Sequence, residues 1–195
     1  MSFDTLFKFE EALAKYTGAP YVVVTDGCTH ALELCFRLEH TTYTELTAFT
    51  YLSIPQLLRD LGISYTFRSD YWQTLGEYQF SNTNIWDSAR LLREGMYREN
   101  QMQCLSFGNS KPLEIGKVGA ILLDVKWKYD ELSRMRSDGR DLRISPWQDQ
   151  KVFGQGYHYC PTLEDCQKGI DKLPFVDQEP KYYQYPDLRS IDFTD

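Results

Sequence analysis

Residues 21–25, YVVVT, form a β-branched run that runs straight into the glycine-bearing turn DGCT at residues 26–29. The next residues, HALELCFRLEH, return to helical periodicity. A buried strand, a tight turn and a helix in immediate succession constrain the chain strongly, because this order builds a sheet with helices packed against it. The turn also has chemical potential: a glycine and small residues at a helix start expose backbone N–H groups, which makes a ready anion site. Many strand–helix turns look alike, so the turn alone decides nothing.

The same alternation continues on both sides. Residues 4–16, DTLFKFEEALAKY, set Leu6, Phe9, Leu13 and Tyr16 on one helical face, and Gly18 ends the helix. Residues 45–62 read as a strand end and a helix that turns Leu57, Leu58 and Leu61 to the core, and ISYTFRSD is the next strand. TNIWDSARLL reads as a short strand ending at Asp87. QMQCLSFGNS and VGAILLD are two strands forming a hairpin-like pair, since Pro112 and Gly116 interrupt the segment between them. WKYDELSRMRSDGRD is a helix closed near Gly139; TLEDCQKGIDKLP is another, with Thr162 as N-cap and Pro174 as stop. The pattern predicts one α/β domain over residues 1–174, with residues 175–195 as a surface-hugging tail.

Charge and cysteine usage narrow the function classes. A formal charge of -7 disfavours nucleic acid and anionic membranes as partners. The start MSFDTLFKFEE has no secretion-signal pattern and no apolar run reaches membrane-spanning length, so a cytoplasmic protein is expected. Five cysteines without CxxC spacing fit reduced thiols better than disulfides or a zinc site, and no metal is expected.

Three further features fall at predicted strand ends. Asp87 lies in an apolar IWDSA context, where a carboxylate needs a partner. A structural salt bridge is one reading, and a protonated cofactor ring nitrogen is the other. SFGNSK carries Ser106 and Lys111 on one loop, placed over the carboxyl end of the sheet where ligands of open α/β folds bind. FTY, residues 49–51, offers an aromatic ring at another strand end.

In this order the motifs resemble the DegT/DnrJ/StrS family of fold-type-I pyridoxal-phosphate (PLP) enzymes, known as sugar aminotransferases. FEEALAKYTGAPYVVVTDGCTHALEL is similar to the family's opening helix, strand and phosphate turn. AFTYLSIPQLLRDLGISYTF resembles its next helix and strand, and IWDSARLL its Glu-Asp-Ala-Ala-Gln segment. CLSFGNSKPLEIGKVGAILLD resembles the Schiff-base lysine region most closely, and GQGYHYCPTLEDCQKGIDKLP the loop and helix that follow it.

The resemblance implies a three-layer α/β/α large domain with a mixed, mostly parallel sheet, in a reduced form lacking most of the family's C-terminal domain. It implies PLP as cofactor and Lys111 as the Schiff-base lysine and proton carrier. Asp87 would pair with the ring nitrogen; Cys28, Thr29 and Ser106 would hold the phosphate; Tyr51 would stack on the ring. Arg90 stands where the family has Gln or His near the phenolic oxygen. His158 stands for an Asn given across a homodimer interface to the partner's phosphate, and Cys160 replaces a substrate-side Arg. The implied reaction moves an amino group from an amino acid to a keto sugar, which could be nucleotide-linked, or to another small carbonyl compound. The missing domain and the changes at Arg90, His158 and Cys160 motivate an alternative: a non-catalytic remnant serving as a partner or scaffold subunit. A minimal form of this kind would suit a compact genome such as a virus's.

Overall fold

The computed structural model describes residues 3–69, 76–176 and 184–193. Tyr182 and Tyr183 of the Tyr-rich tail, and residues 70–75 of the segment preceding Asp87, lie outside the described residues.

In chain order the elements are α1 (Asp4–Thr17), β1 (Tyr21–Thr25), α2 (Cys28–Leu38), β2 (Tyr43–Thr47), α3 (Ser53–Asp60) and β3 (Ser64–Arg68). There follow β4 (Tyr78–Gln79), β5 (Ile85–Asp87), β6 (Met102–Ser106), β7 (Gly119–Leu123), α4 (Lys126–Arg136) and α5 (Leu163–Lys172). Helix α1 stops where Gly18 takes φ 78°, a left-handed conformation that lets its N–H cap Ala14 O. Helix α5 starts where the Thr162 side chain accepts from the Asp165 N–H.

The main sheet has the order β1-β7-β6-β5-β4, and β2 and β3 form a separate parallel pair. Side-chain alternation divides the core between the two sheet faces. Val23, Met102, Cys104, Ile121 and Leu123 join a cluster with Leu32, Phe36 and Leu58, and with Leu132 from α4. Val22, Val24, Leu105, Ala120 and Leu122 face the other way, against Leu6, Phe9 and Leu13 of α1 and Cys166 of α5. Helices α2, α3 and α4 therefore cover one face and α1 and α5 the other, which is the expected three-layer arrangement.

The sheet is mixed, but parallel pairing does not dominate it as expected. Among the described residues only β5–β6 and β2–β3 pair in parallel. The reason is β7: the chain folds back through residues 107–118, so β7 pairs antiparallel with β6 and inserts between β6 and β1. Strands β1, β5 and β6 nevertheless point the same way, so their carboxyl ends open on one edge.

Strand β1 has a free edge, and two buried side chains occupy it. The Glu10 carboxylate accepts from the Val24 N–H at 3.0 Å, and the Arg136 guanidinium donates to the Val24 carbonyl at 2.8 Å. Arg136 and Glu10 also form an ion pair, with side chains only 1% and 6% exposed. This clamp ties α1, α4 and the edge strand together just before the DGCT turn.

Candidate active site

The carboxyl ends of β1, β5 and β6 bring the sequence motifs to one cavity of about 500 Å³. Gly27, Cys28, Thr29 and His30 form one wall, where β1 passes into α2. Gly27 is the N-cap and has no side chain to satisfy the first-turn N–H groups, so they remain available to a ligand. The Thr29 and Ser53 hydroxyls lie 2.9 Å apart, linking the starts of α2 and α3. The Cys28 thiol donates to Cys104 O at 3.6 Å; burial pushes its pKa well up, so it remains a thiol.

Gly119 explains how this turn can lie so close to the sheet. A Cβ there would meet Cys28 N and Gly27 C at 2.5 Å, both backbone atoms that cannot swing aside. A side chain at the first position of β7 would push the whole turn outward.

Asp87 ends β5 and is 4% exposed. Its Oδ1 accepts from the Ala89 N–H at 3.0 Å. Burial raises its pKa, opposed by that N–H, by the Lys111 charge, by a hydrogen bond from Tyr78 and by Arg90. Tyr78 is itself buried, and burial with the neighbouring Asp87 charge keeps its phenol protonated. Its hydroxyl lies 2.8 Å from Thr50 Oγ1. With the phenol proton given to Asp87, the hydroxyl of Thr50 donates to the phenol oxygen. The carboxylate is thus held by a donor on β4, Tyr78, and one on the loop after β5, the Ala89 N–H.

Lys111 reaches the cavity from the β6–β7 connection. Phe107 N–H bonds Val118 O at 2.8 Å, which closes the neck of that loop, and Ser110 takes φ 65° immediately before the lysine. A left-handed serine is uncommon, and here it turns the chain back toward the cavity. Burial lowers the Lys111 pKa, Arg90 lowers it further, and the Asp87 charge opposes them. A larger share of neutral amine at a given pH follows.

Seven of the eight residues singled out in the sequence line this cavity: Cys28, Thr29, Tyr51, Asp87, Arg90, Ser106 and Lys111. Tyr51 stands at its lip, 59% exposed. His158 is elsewhere: its side chain is 88% exposed and its Nδ1 lies 3.1 Å from Asp138 Oδ1. Cys160 turns its thiol to Ser137 Oγ at 3.2 Å, into the body of the domain. Sequence reasoning missed Thr50, Ser53, Tyr78, Gly119 and Tyr185. Only Thr50 and Ser53 gave a signal, Thr50 as the hydroxyl residue within the FTY motif and Ser53 two residues after it; the others reach the site through long-range packing.

The donor set suits PLP. A buried carboxylate, an amine with a lowered pKa and a helix start with unfilled N–H groups match a ring nitrogen, a carbonyl and a phosphate respectively.

Residues 2–67 match the sequence model of the DegT/DnrJ/EryC1/StrS aminotransferase family. Among curated proteins, no sequence matches the chain. Solved structures share its fold. PseC of Helicobacter pylori, an aminotransferase involved in the biosynthesis of pseudoaminic acid, superposes with a TM-score of 0.69 at 15% identity, over 88% of this chain and 58% of its own. A Bacillus cereus protein described as a PLP-dependent aminotransferase gives 0.69 at 15% identity, over 87% of this chain and 58% of its own. DesI, solved in the presence of its TDP-sugar product, gives 0.68 at 16% identity, over 90% of this chain and 55% of its own. The chain therefore has the fold of the fold-type-I aminotransferases, and it spans a little over half the length of these neighbours. Among the described residues no helix is long and apolar enough to cross a membrane.

Proposed function

From the aminotransferase family match and the carboxylate–amine pair in one cavity, we propose that the chain is a PLP-dependent aminotransferase-type enzyme. It passes an amino group from an amino acid to a keto sugar or another small carbonyl compound. The observation that carries this reading is the convergence of Asp87, Lys111 and the uncapped start of α2 on a single cavity. Each is ordinary alone, but a buried carboxylate, a lysine and an anion site lining one cavity together fit a ligand with a cation, a carbonyl and a phosphate.

In this reading the first-turn N–H groups of α2, with Thr29 and Ser106, hold the phosphate. Asp87, supported by Tyr78 and the Ala89 N–H, holds a proton on the ring nitrogen and is kept charged by it. When bound, PLP supplies the carbonyl that exchanges amino groups and the ring that withdraws electrons from the donor. Lys111 Nζ moves the proton on the donor carbon, a task that needs the neutral amine which burial and Arg90 favour. Tyr51 covers one face and restricts water. Exposed His158, on the loop before α5, reaches the phosphate of a neighbouring copy, so the working form is a homodimer with shared sites. A cytoplasmic location accords with the reduced cysteines. In this assignment residues 1–174 form the PLP-binding domain and residues 175–195 a tail.

The test is borohydride reduction of purified protein with PLP, followed by peptide mass mapping and sedimentation. The expected result is PLP fixed on Lys111 of a dimer, and none fixed in Lys111→Ala. Label on surface lysines alone would refute the cofactor assignment, and a strict monomer still holding PLP would refute the shared site. PLP fixed on Lys111 without any half-reaction toward amino donors would favour the non-catalytic alternative.

A further inference from the structure

The cavity is walled by residues 27–30, 50–54, 87–90 and 106–118, with one residue from far along the chain, Tyr185. Its neighbours Gln184 and Pro186 are exposed, whereas Tyr185 is only 8% exposed. The tail does not place it there by accident of surface packing. Leu188 is 2% exposed and its N–H bonds Ala48 O at 2.9 Å; Arg59 donates to Phe193 O at 2.7 Å; Arg189 donates to Ser69 Oγ at 2.7 Å. Three anchors on the β2–α3–β3 segment hold residues 184–193 as a strap over the side of the site.

Within the cavity, the Arg90 guanidinium carbon lies 5.5 Å from the centroid of the Tyr185 ring, inside the range of a cation–π contact. The Tyr51 ring lies 6.3 Å away on another side, inclined at 59°. Arg90 is 5% exposed, so its charge is desolvated and its position matters to every charge nearby.

We infer that Tyr185 is a positioning residue of this site: the C-terminal strap presents its ring to hold Arg90 within the cavity that Lys111 and Asp87 also line. Arg90 lowers the amine's pKa after burial itself, while the Asp87 charge raises it. Tyr78 hydrogen-bonds Asp87, and His30 and Lys117 also border the cavity. Replacing the ring by an aliphatic side chain keeps the wall but removes the π face from Arg90, so the guanidinium shifts relative to Lys111 and the amine retains its proton to higher pH. The inference rests on the proposed function for its meaning, but its test does not.

The experiment is competitive acetylation of the full chain with acetic anhydride across a pH series, without PLP. Mass spectrometry follows Lys111, with exposed Lys168 and Lys126 as internal references. The midpoint for Lys111 should move up in Tyr185→Leu and stay at the wild-type value in Tyr185→Phe. Arg90→Gln, which leaves the strap intact, should move it up as well, and Tyr185→Leu/Arg90→Gln should move it no further than Arg90→Gln alone. In parallel, PLP retention by Tyr185→Leu should fall roughly three- to tenfold. An unmoved midpoint in a folded Tyr185→Leu, a Tyr185→Phe shift as large as that of Leu, or additive shifts in the double variant would each overturn the inference. If wild type takes up no PLP but the midpoints behave as expected, the cofactor assignment fails and the positioning role stands.

Discussion

The substitution Arg136→Met removes the cation from the clamp on the free edge of β1. Met fills much of the same volume, so the loss is electrostatic rather than a cavity. It leaves the Glu10 carboxylate buried without its counter-charge, and stranding one member of a buried pair costs about 3–5 kcal/mol. The Val24 carbonyl also loses its donor, which adds about 1–3 kcal/mol if no water reaches it. Taking the stranded charge alone, a chain of this size should melt roughly 6–20 °C lower. The informative partner is Glu10→Gln in the same background: it removes the stranded charge but leaves an oxygen to accept from the Val24 N–H. Urea and thermal unfolding of wild type, the single variant and the double variant measure the effect, with amide exchange at Val24 as the local readout. The double variant should recover most of the loss. A single variant within about 1 kcal/mol of wild type, or a double variant no better than the single, would refute the clamp as a buried, charge-dependent device.

Gly119→Ala should cost about 1–3 kcal/mol and also weaken PLP capture, because the new Cβ meets backbone of the α2 start at 2.5 Å; thermal melts with borohydride trapping check both, and unchanged PLP capture would show the turn is not held by this close approach. Asp87→Asn should have opposite effects on stability and on the cofactor. The raised pKa means the folded chain holds the Asp87 proton more tightly than the unfolded one, so wild-type stability falls as pH rises from the ordinary value of 3.8 through the folded pKa and stays lower above it. The Asn variant without PLP should therefore melt higher than wild type at pH 7, with the gap closing as pH falls toward 3.8, while losing PLP-dependent half-reactions. A lower melt at pH 7 would show that Asp87 is paid for by its partners even without a cofactor.

Local grammar was legible in the chain itself. The strand–turn–helix at residues 21–38, the Gly18 stop and the Thr162 cap depend on interactions within a few residues, and the β6–β7 pair on segments less than twenty positions apart. The motif order also identified Asp87, Ser106 and Lys111 as belonging together, since strand ends of one sheet edge share a neighbourhood whatever the details of packing. Other features depended on contacts between distant segments. Tertiary packing alone decided that β7 lies between β1 and β6, which undid the expected parallel majority. It alone brought Arg136 to Glu10 across 126 positions and Tyr185 to Arg90. It also gave Gly119 a role that its place in an apolar strand does not announce. The reason is that hydrophobic and hydrogen-bonding periodicity encode what a residue does within its own element. The geometry of the site is set by which elements meet, and that is decided by burial summed over the whole core.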